Sequence, residues 1–188
     1  WLGETARYST PETAETLLHI LEKAGVAFAV LHDEPASGCA MGDLMGWVEE
    51  VRTQARKAGE AIRATGAKRL VVLDSYDAAM MRHEYQDWGI ELPEIWTATA
   101  FVDDLIKSGL SPRREEMSVS YHDGSRLARD LDEHQPARDI LTAMGCEIHE
   151  MWQNRRLAKC CGSAVMGQCL PELRDKVASG RWNDVKRT

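Results

Sequence analysis

The sequence predicts an α/β fold made of two pseudo-symmetric halves, each a mostly parallel sheet with flanking helices. Three observations carry this expectation. Short apolar runs alternate along the chain with longer stretches of helical periodicity, the pattern of strands joined by helices in parallel sheets. The run Leu70-Val71-Val72-Leu73 is unbroken in its apolar character, as a strand buried on both faces should be. One order of signals, helix, glycine, strand, cysteine, occurs twice.

In the first half, Ser9 or Thr10 is placed to cap a helix with Pro11 in its first turn. Ala14, Leu17, Leu18 and Leu21 fall on one face of that helix, and Gly25 stops it. Phe28 to Leu31 then reads as a strand. A long helix from about Asp43 to Thr65 ends at Gly66 and leads into the strand Arg69 to Leu73. A helix from Tyr76 to Gln86, a short strand from Ile95 to Ala98 and a helix from Ala100 to Lys107 complete this half. The segment Ser108 to Glu116, with its Gly and Pro, reads as a linker. The second half repeats the order with a strand Ser118 to Tyr121, a helix Gln135 to Met144, a strand Glu147 to Trp152 and a helix from Leu170. These signals place the halves at residues 1–110 and 117–188. The repeat itself is local: Ala14-Glu15-Thr16-Leu17-Leu18 through Gly25 to Cys39 parallels Pro136-Ala137-Arg138-Asp139-Ile140-Leu141 through Gly145 to Cys160-Cys161-Gly162.

Composition narrows the function. With 30 acidic and 23 basic side chains in 188 residues, the chain has a formal net charge of −7 and offers no broad positive surface for phosphate backbones. A nucleic-acid partner is therefore not expected. The longest apolar runs fall far short of the roughly 20 residues that span a bilayer, so no direct membrane span is expected. Five cysteines, with none in the first 38 residues, do not form a secreted disulfide framework. A soluble, cytoplasmic protein is the expectation. The chain opens on Trp1 and stops at Thr188 inside a helical pattern, which reads as a piece of a longer polypeptide.

Cys160-Cys161-Gly162 is the most informative motif. Neighbouring side chains point apart, so adjacent thiols chelate one ion poorly, yet they can hold two atoms of a larger inorganic cluster. Packing of both as small apolar groups is the other reading of the pair taken alone. Cys169, seven residues past Gly162, is either a further ligand or packing, and Cys146 reads as core. His122 and Asp123, at a predicted strand end, suit either proton transfer or capping of that end. Glu4, Asp74 and Asp77 could line a hard, oxygen-rich metal site or cap the helix that follows.

These motifs resemble the cysteine-rich CCG family, which includes subunits of heterodisulfide reductase and the iron–sulfur subunits of glycolate and lactate oxidation systems. In that family each half carries a leading Cys, a Cys-Cys-Gly and a final Cys-Pro-x-Cys. Ser118-Val119-Ser120-Tyr121-His122-Asp123, continued by Arg126-Leu127-Ala128-Arg129, is similar to the family's Tyr-His-Asp-Pro-Cys-His-Leu segment. Glu150-Met151-Trp152-Gln153-Asn154-Arg155 resembles the lead into the second cysteine pair. The chain also departs from the pattern. Ser125 stands where the second half should have its leading cysteine, with 34 residues between it and Cys160. In the first half Glu4 takes the leading position, Gly38-Cys39 stands at the pair, and Asp74-Ser75-Tyr76-Asp77 occupies the final site.

The resemblance implies an iron–sulfur electron-transfer subunit of a multi-subunit oxidoreductase, linked to a thiol, disulfide or quinone. It implies a four-iron cluster, the non-cubane form included, held by Cys160 and Cys161, with Ser125 as an oxygen ligand or an open position. His122 and Asp123 are the expected catalytic groups, and Cys39 is a further candidate metal ligand. Partner subunits would be ferredoxin-like or flavoprotein, membrane-bound ones included. The final Cys-x-x-Cys of the second half is expected beyond Thr188. Two alternatives stay open: a cluster-free scaffold subunit, and a structural zinc protein.

Overall fold

The computed structural model describes residues 1–39, 42, 45–162 and 170–188. It is α/β, with one parallel two-stranded sheet in each of two compact units, Trp1–Leu105 and Ile106–Thr188.

In the first unit, helices α1 (Gly3–Tyr8), α2 (Pro11–Lys23) and α3 (Val48–Ala64) precede strand β1 (Arg69–Val72). Two short helices, α4 (Ser75–Arg82) and α5 (Glu84–Asp87), lead to β2 (Glu94–Thr97) and α6 (Ala98–Lys107). The strands pair in parallel from Arg69 opposite Glu94 to Val72 opposite Thr97. The backbone of Trp1 also joins β1, donating to Val71 O at 2.9 Å and accepting from Leu73 N at 3.0 Å. Leu17 and Leu21 of α2 pack with Ala98 and Phe101 of α6 as one part of the core. The buried face of α3 is Val51, Ala55, Ala58, Gly59 and Ile62, at the three-and-four spacing of one helical stripe. A β-carbon on Gly59 would stand 2.5 Å from Ile90 Cγ2, so the missing side chain is what lets α3 lie against Ile90.

In the second unit β3 (Ser118–Tyr121) pairs in parallel with β4 (Glu147–Glu150). Between them run a π-helical turn, Arg126–Asp130, and helix α7 (Gln135–Ala143). A single 3₁₀ turn, Arg155–Leu157, and helix α8 (Pro171–Val185) follow. Helix α8 buries Arg181 and Asp184 while its other residues are exposed or half-buried. This helix is therefore held by polar contacts.

Several expectations are corrected. Phe28 to Leu31 is not a strand: Phe28 and Val30 are exposed, and no described strand offers this run a ladder partner. The helix–glycine–strand–cysteine order is thus complete in the second unit and lacks its strand in the first. The helix expected from Tyr76 to Gln86 is broken at His83 into α4 and α5. The long helix begins at Val48; its expected start at Asp43 and the candidate Cys169 lie outside the described residues. Thr10 stands at the N-cap of α2 without a side-chain cap bond, leaving Pro11 and Glu12 to favour that end. Among the described residues, no helix is long and apolar enough to cross a membrane.

Candidate functional site

The loop from β4 to the cysteine pair is fixed from two sides. On one side Arg138 of α7, itself buried, forms a double fork. It donates to both carboxylate oxygens of Asp123 at 2.7 and 2.9 Å and to both of Glu150 at 2.6 and 2.8 Å. Asp123 then accepts from the backbone N–H of Arg155 at 2.7 Å. Burial alone would raise the Asp123 pKa. Hydrogen bonds from Arg138 and Arg155 outweigh it and hold the carboxyl below its usual range. Asp123 is therefore an ionised anchor for the loop. It is pinned at a strand end by charge-assisted bonds of the strong, bidentate kind.

On the other side stands Arg181 of α8. Its Nη1 donates to the carbonyls of Trp152 and Gln153 at 3.0 and 3.2 Å, and its Nε donates to His122 Nδ1 at 3.0 Å. His122 thus carries its ring proton on Nε2, and burial together with the Arg181 charge lowers its pKa. One turn along, Asp184 binds Lys159 Nζ at 2.8 Å, immediately before Cys160. Arg129 Nη1 holds the carbonyl of Ala158 at 2.8 Å. Between these clamps Gln153 and Arg155 adopt φ of 55° and 53°, a left-handed backbone that non-glycine residues rarely take. Asp123 and Arg181 bond that stretch of backbone directly.

The loop delivers Cys160 exposed and Cys161 half-buried, and Gly162 N–H donates to Cys160 Sγ at 3.3 Å. Gly162 has φ 82°, and a β-carbon there would lie 2.8 Å from the backbone oxygen of Arg174 in α8. The glycine of the motif is needed twice over, for its dihedral and for the close approach of the helix. Ser125 is half-buried at the start of the π-helical turn, and its hydroxyl makes no cap bond. Cys146 Sγ donates to Glu115 O at 3.4 Å, a packing position at the start of β4.

The same glycine geometry recurs in the first unit, at Gly38. With φ 89°, its β-carbon would meet Val51 O at 3.2 Å and Val51 Cα at 3.4 Å, on the helix that follows. Gly38 thus corresponds in backbone geometry to Gly162, with Ser37 in the place before the glycine and Cys39 in the place after it. Ser37 is buried; its hydroxyl donates to Asp77 Oδ1 at 2.5 Å, and its carbonyl accepts from Tyr85 OH at 2.7 Å. Cys39 N donates to Ser37 Oγ at 3.1 Å. Asp77 also accepts from Trp1 Nε1 at 2.7 Å. Burial pushes the Asp77 pKa up to about 6, with Asp74 and Glu34 adding repulsion against the Ser37 and Trp1 hydrogen bonds. A β-carbon on Gly3 would lie 2.9 Å from both Asp74 Cβ and Asp77 Oδ2, whereas Glu4 is exposed. The positions that meet are Gly3, Ser37, Asp74 and Asp77. Asp74 caps α4 through Tyr76 N at 2.8 Å; Asp77 caps nothing.

Residues 119–187 match the family model of the cysteine-rich domain named CCG. The second unit is a CCG domain. Relatives extend the likeness over the rest of the chain. A probable membrane-anchored ferredoxin of Chromohalobacter salexigens is 26% identical over 100% of this chain. A probable iron-sulfur-binding oxidoreductase, FadF of Bacillus subtilis, is 27% identical over 87%. One subunit of the dihydromethanophenazine:CoB–CoM heterodisulfide reductase of Methanosarcina acetivorans is 30% identical over 99%. The chain spans 29%, 24% and 48% of the lengths of these three relatives.

Arg138, Glu150, Arg181 and Asp184 build the CCG domain's loop; sequence reasoning meets Arg138 and Glu150 only as members of matching segments and passes over Arg181 and Asp184. Charged residues on helices ordinarily face water. The one available signal is that α8 has hardly any apolar stripe with which to pack.

Proposed function

We propose that the chain is part of an iron–sulfur electron-transfer subunit of the heterodisulfide-reductase-like type, with its cluster site at Cys160 and Cys161. The observation that carries this reading is the presentation of the pair. Two adjacent soft donors sit at the end of a doubly clamped loop, beyond the carboxyl end of a parallel strand, where open α/β sheets place their sites. A backbone N–H is already on one sulfur, the kind of hydrogen bond that tunes a cluster's potential. The donor chemistry fits an iron–sulfur cluster. When bound, such a group would supply one-electron transfer; this chain's residues hold it and set its surroundings. Ser125 is a candidate oxygen donor to the same group, and Cys169 a further candidate ligand. The partners would be other subunits of a redox complex, flavoprotein or ferredoxin-like. The redox partner on the substrate side would be a thiol, disulfide or quinone.

Anaerobic purification of the full-length protein, with iron and acid-labile sulfide analysis, tests the reading. Iron and sulfide are expected together, and most of both should be lost in Cys160→Ser and Cys161→Ser. Zinc in their place favours the structural-metal alternative. A metal-free protein, or iron unchanged in both variants, overturns the assignment.

A cluster-free role is favoured for the first unit by one observation. Where a thiolate would stand, the Ser37 hydroxyl is committed to Asp77, and Asp77 to the Trp1 indole. Oxygen replaces thiolate poorly on such clusters. The unit would then act as scaffold, and the iron content should correspond to none held at Ser37, Asp74 and Asp77.

A further inference from the structure

The run from Trp152 to Gly162 carries three basic side chains, Arg155, Arg156 and Lys159, and no acidic one, in a chain whose formal net charge is −7. The bias continues along α8. Residues 152–188 hold eight basic and three acidic side chains, and the rest of the chain 15 and 27. Contacts join the loop to the helix: Arg181 bonds the carbonyls of Trp152 and Gln153, Asp184 binds Lys159, and the backbone at Arg174 lies against Gly162. Three large apolar side chains stand out from this stretch. Trp152 is 71% exposed, Leu157 75%, and Trp182, next to the clamping Arg181, 61%.

Apolar residues scattered singly on a surface need no explanation. Trp152 and Leu157 differ in being displayed on fixed backbone. Trp152 is held through its carbonyl, Arg155 through its N–H on Asp123, and Ala158, next to Leu157, through its carbonyl on Arg129. A preorganised loop loses little freedom when it is covered, and Trp and Arg are the side chains that most often dominate interface energies. Arg155, Arg156 and Lys159 each reach a carboxylate, on Glu150, Asp132 and Asp184. Glu150 and Asp184 also contact the buried Arg138 and Arg181, and Arg138 takes Asp123 as well. With Arg129, six basic groups around the loop meet these four carboxylates, so the excess stays positive. Cys160 is exposed in the same loop, and whatever covers the loop approaches the cysteine pair.

Resting on the iron–sulfur reading, we propose that the loop Trp152–Leu157, with Trp182 of α8, is the docking surface for an acidic electron-transfer protein. Trp152 and Leu157 serve as its apolar anchors, and Arg155 and Arg156 steer the approach. Charge complementarity selects this partner. An acidic protein is repelled by a chain of net charge −7 everywhere except at a locally basic patch, so the patch fixes both where it docks and in which orientation.

The test uses the full-length, iron-loaded protein and, as probe, a reduced acidic two-iron ferredoxin, with the second-order rate of electron transfer followed by stopped flow. Iron analysis comes first. If the wild type holds no iron, the functional reading fails and takes this inference with it. With iron present, the rate should fall about tenfold or more between about 10 and 200 mM salt. Arg156→Glu should lower the low-salt rate about tenfold and flatten its salt dependence. Trp152→Ala and Leu157→Ala should each lower the rate about tenfold at every salt concentration. All three variants should keep the wild-type iron content and the wild-type rate with dithionite, a small reductant that needs no docking surface; this separates lost docking from a damaged site. A salt-independent wild-type rate, or Trp152→Ala and Arg156→Glu at the wild-type rate, would overturn the inference and leave the cluster assignment standing. So would cosedimentation of the wild type with phosphatidylserine–phosphatidylcholine vesicles that Trp152→Ala abolishes, because the patch would then be a lipid-binding surface.

Discussion

Asp77 is the buried carboxyl whose surroundings most oppose its charge. Its folded pKa of about 6 lies above the ordinary 3.8, so the folded state binds the proton more tightly than the unfolded state does. The sign follows: this group favours folding fully below about pH 4, and its contribution is lost as pH rises to 6. A rise of that size corresponds to about 3 kcal/mol. Asp77→Asn should therefore gain on the wild type as pH increases from 4 to 7, as read from urea midpoints at each pH; a constant difference would refute the assignment. Arg138 behaves in the opposite sense. Arg138→Met leaves Asp123 buried with its charge unpaired, and a loss of about 3–5 kcal/mol is expected in chemical denaturation. The cysteine pair, its glycine and the Asp123 strand end were legible in the sequence because their residue types are unusual for their places. The surroundings of Gly38 in the first unit were not. Ser37 stands before Gly38 as Cys161 stands before Gly162, a correspondence that shows only in the approach of Gly38 to Val51.

At the level of elements, two glycines hold helices against their neighbours. Gly59→Ala improves helix propensity by up to about 1 kcal/mol but drives a methyl into Ile90, which costs about 1–3 kcal/mol in a packed core. A net loss near 1 kcal/mol is expected in the wild-type background, and it should vanish when Gly59→Ala is made in an Ile90→Ala background and compared with that single variant, which itself loses about 2–5 kcal/mol. Gly162→Ala should destabilise α8's seat by about 2 kcal/mol or more, from the left-handed dihedral and the Arg174 oxygen together. Its thermal midpoint should fall with bound iron. Most elements were legible: β3 runs over the four residues that its pattern predicts, and α2, α6, α7 and β4 end within about two residues of expectation. The π-helical turn was not, because a bond from Leu131 N to Arg126 O leaves no mark on residue type. The break at His83 likewise lacks a Gly or Pro to announce it.

Across the whole molecule, the two units are joined through a stretch without regular structure after α6. The Arg113 side chain is 88% exposed there, whereas Glu115 is tied to Met144 O through its backbone. Limited trypsin digestion should therefore cut first beside Arg113 and Arg114, before the many other basic residues, as mass spectrometry of early fragments would show. The run Val26 to Leu31 bears on the molecule's behaviour in another way. It is six residues long, carries no charge and no proline, and leaves Phe28 and Val30 open to solvent. Natural proteins guard such stretches with lysine, proline or a covering element, because an unguarded one templates intermolecular β-pairing. The 188-residue segment made alone should accordingly aggregate in a concentration-dependent way, and Val30→Lys should keep it monodisperse in light scattering. Colloidal behaviour of this protein is thus governed by a stretch remote in sequence from its cysteine pair.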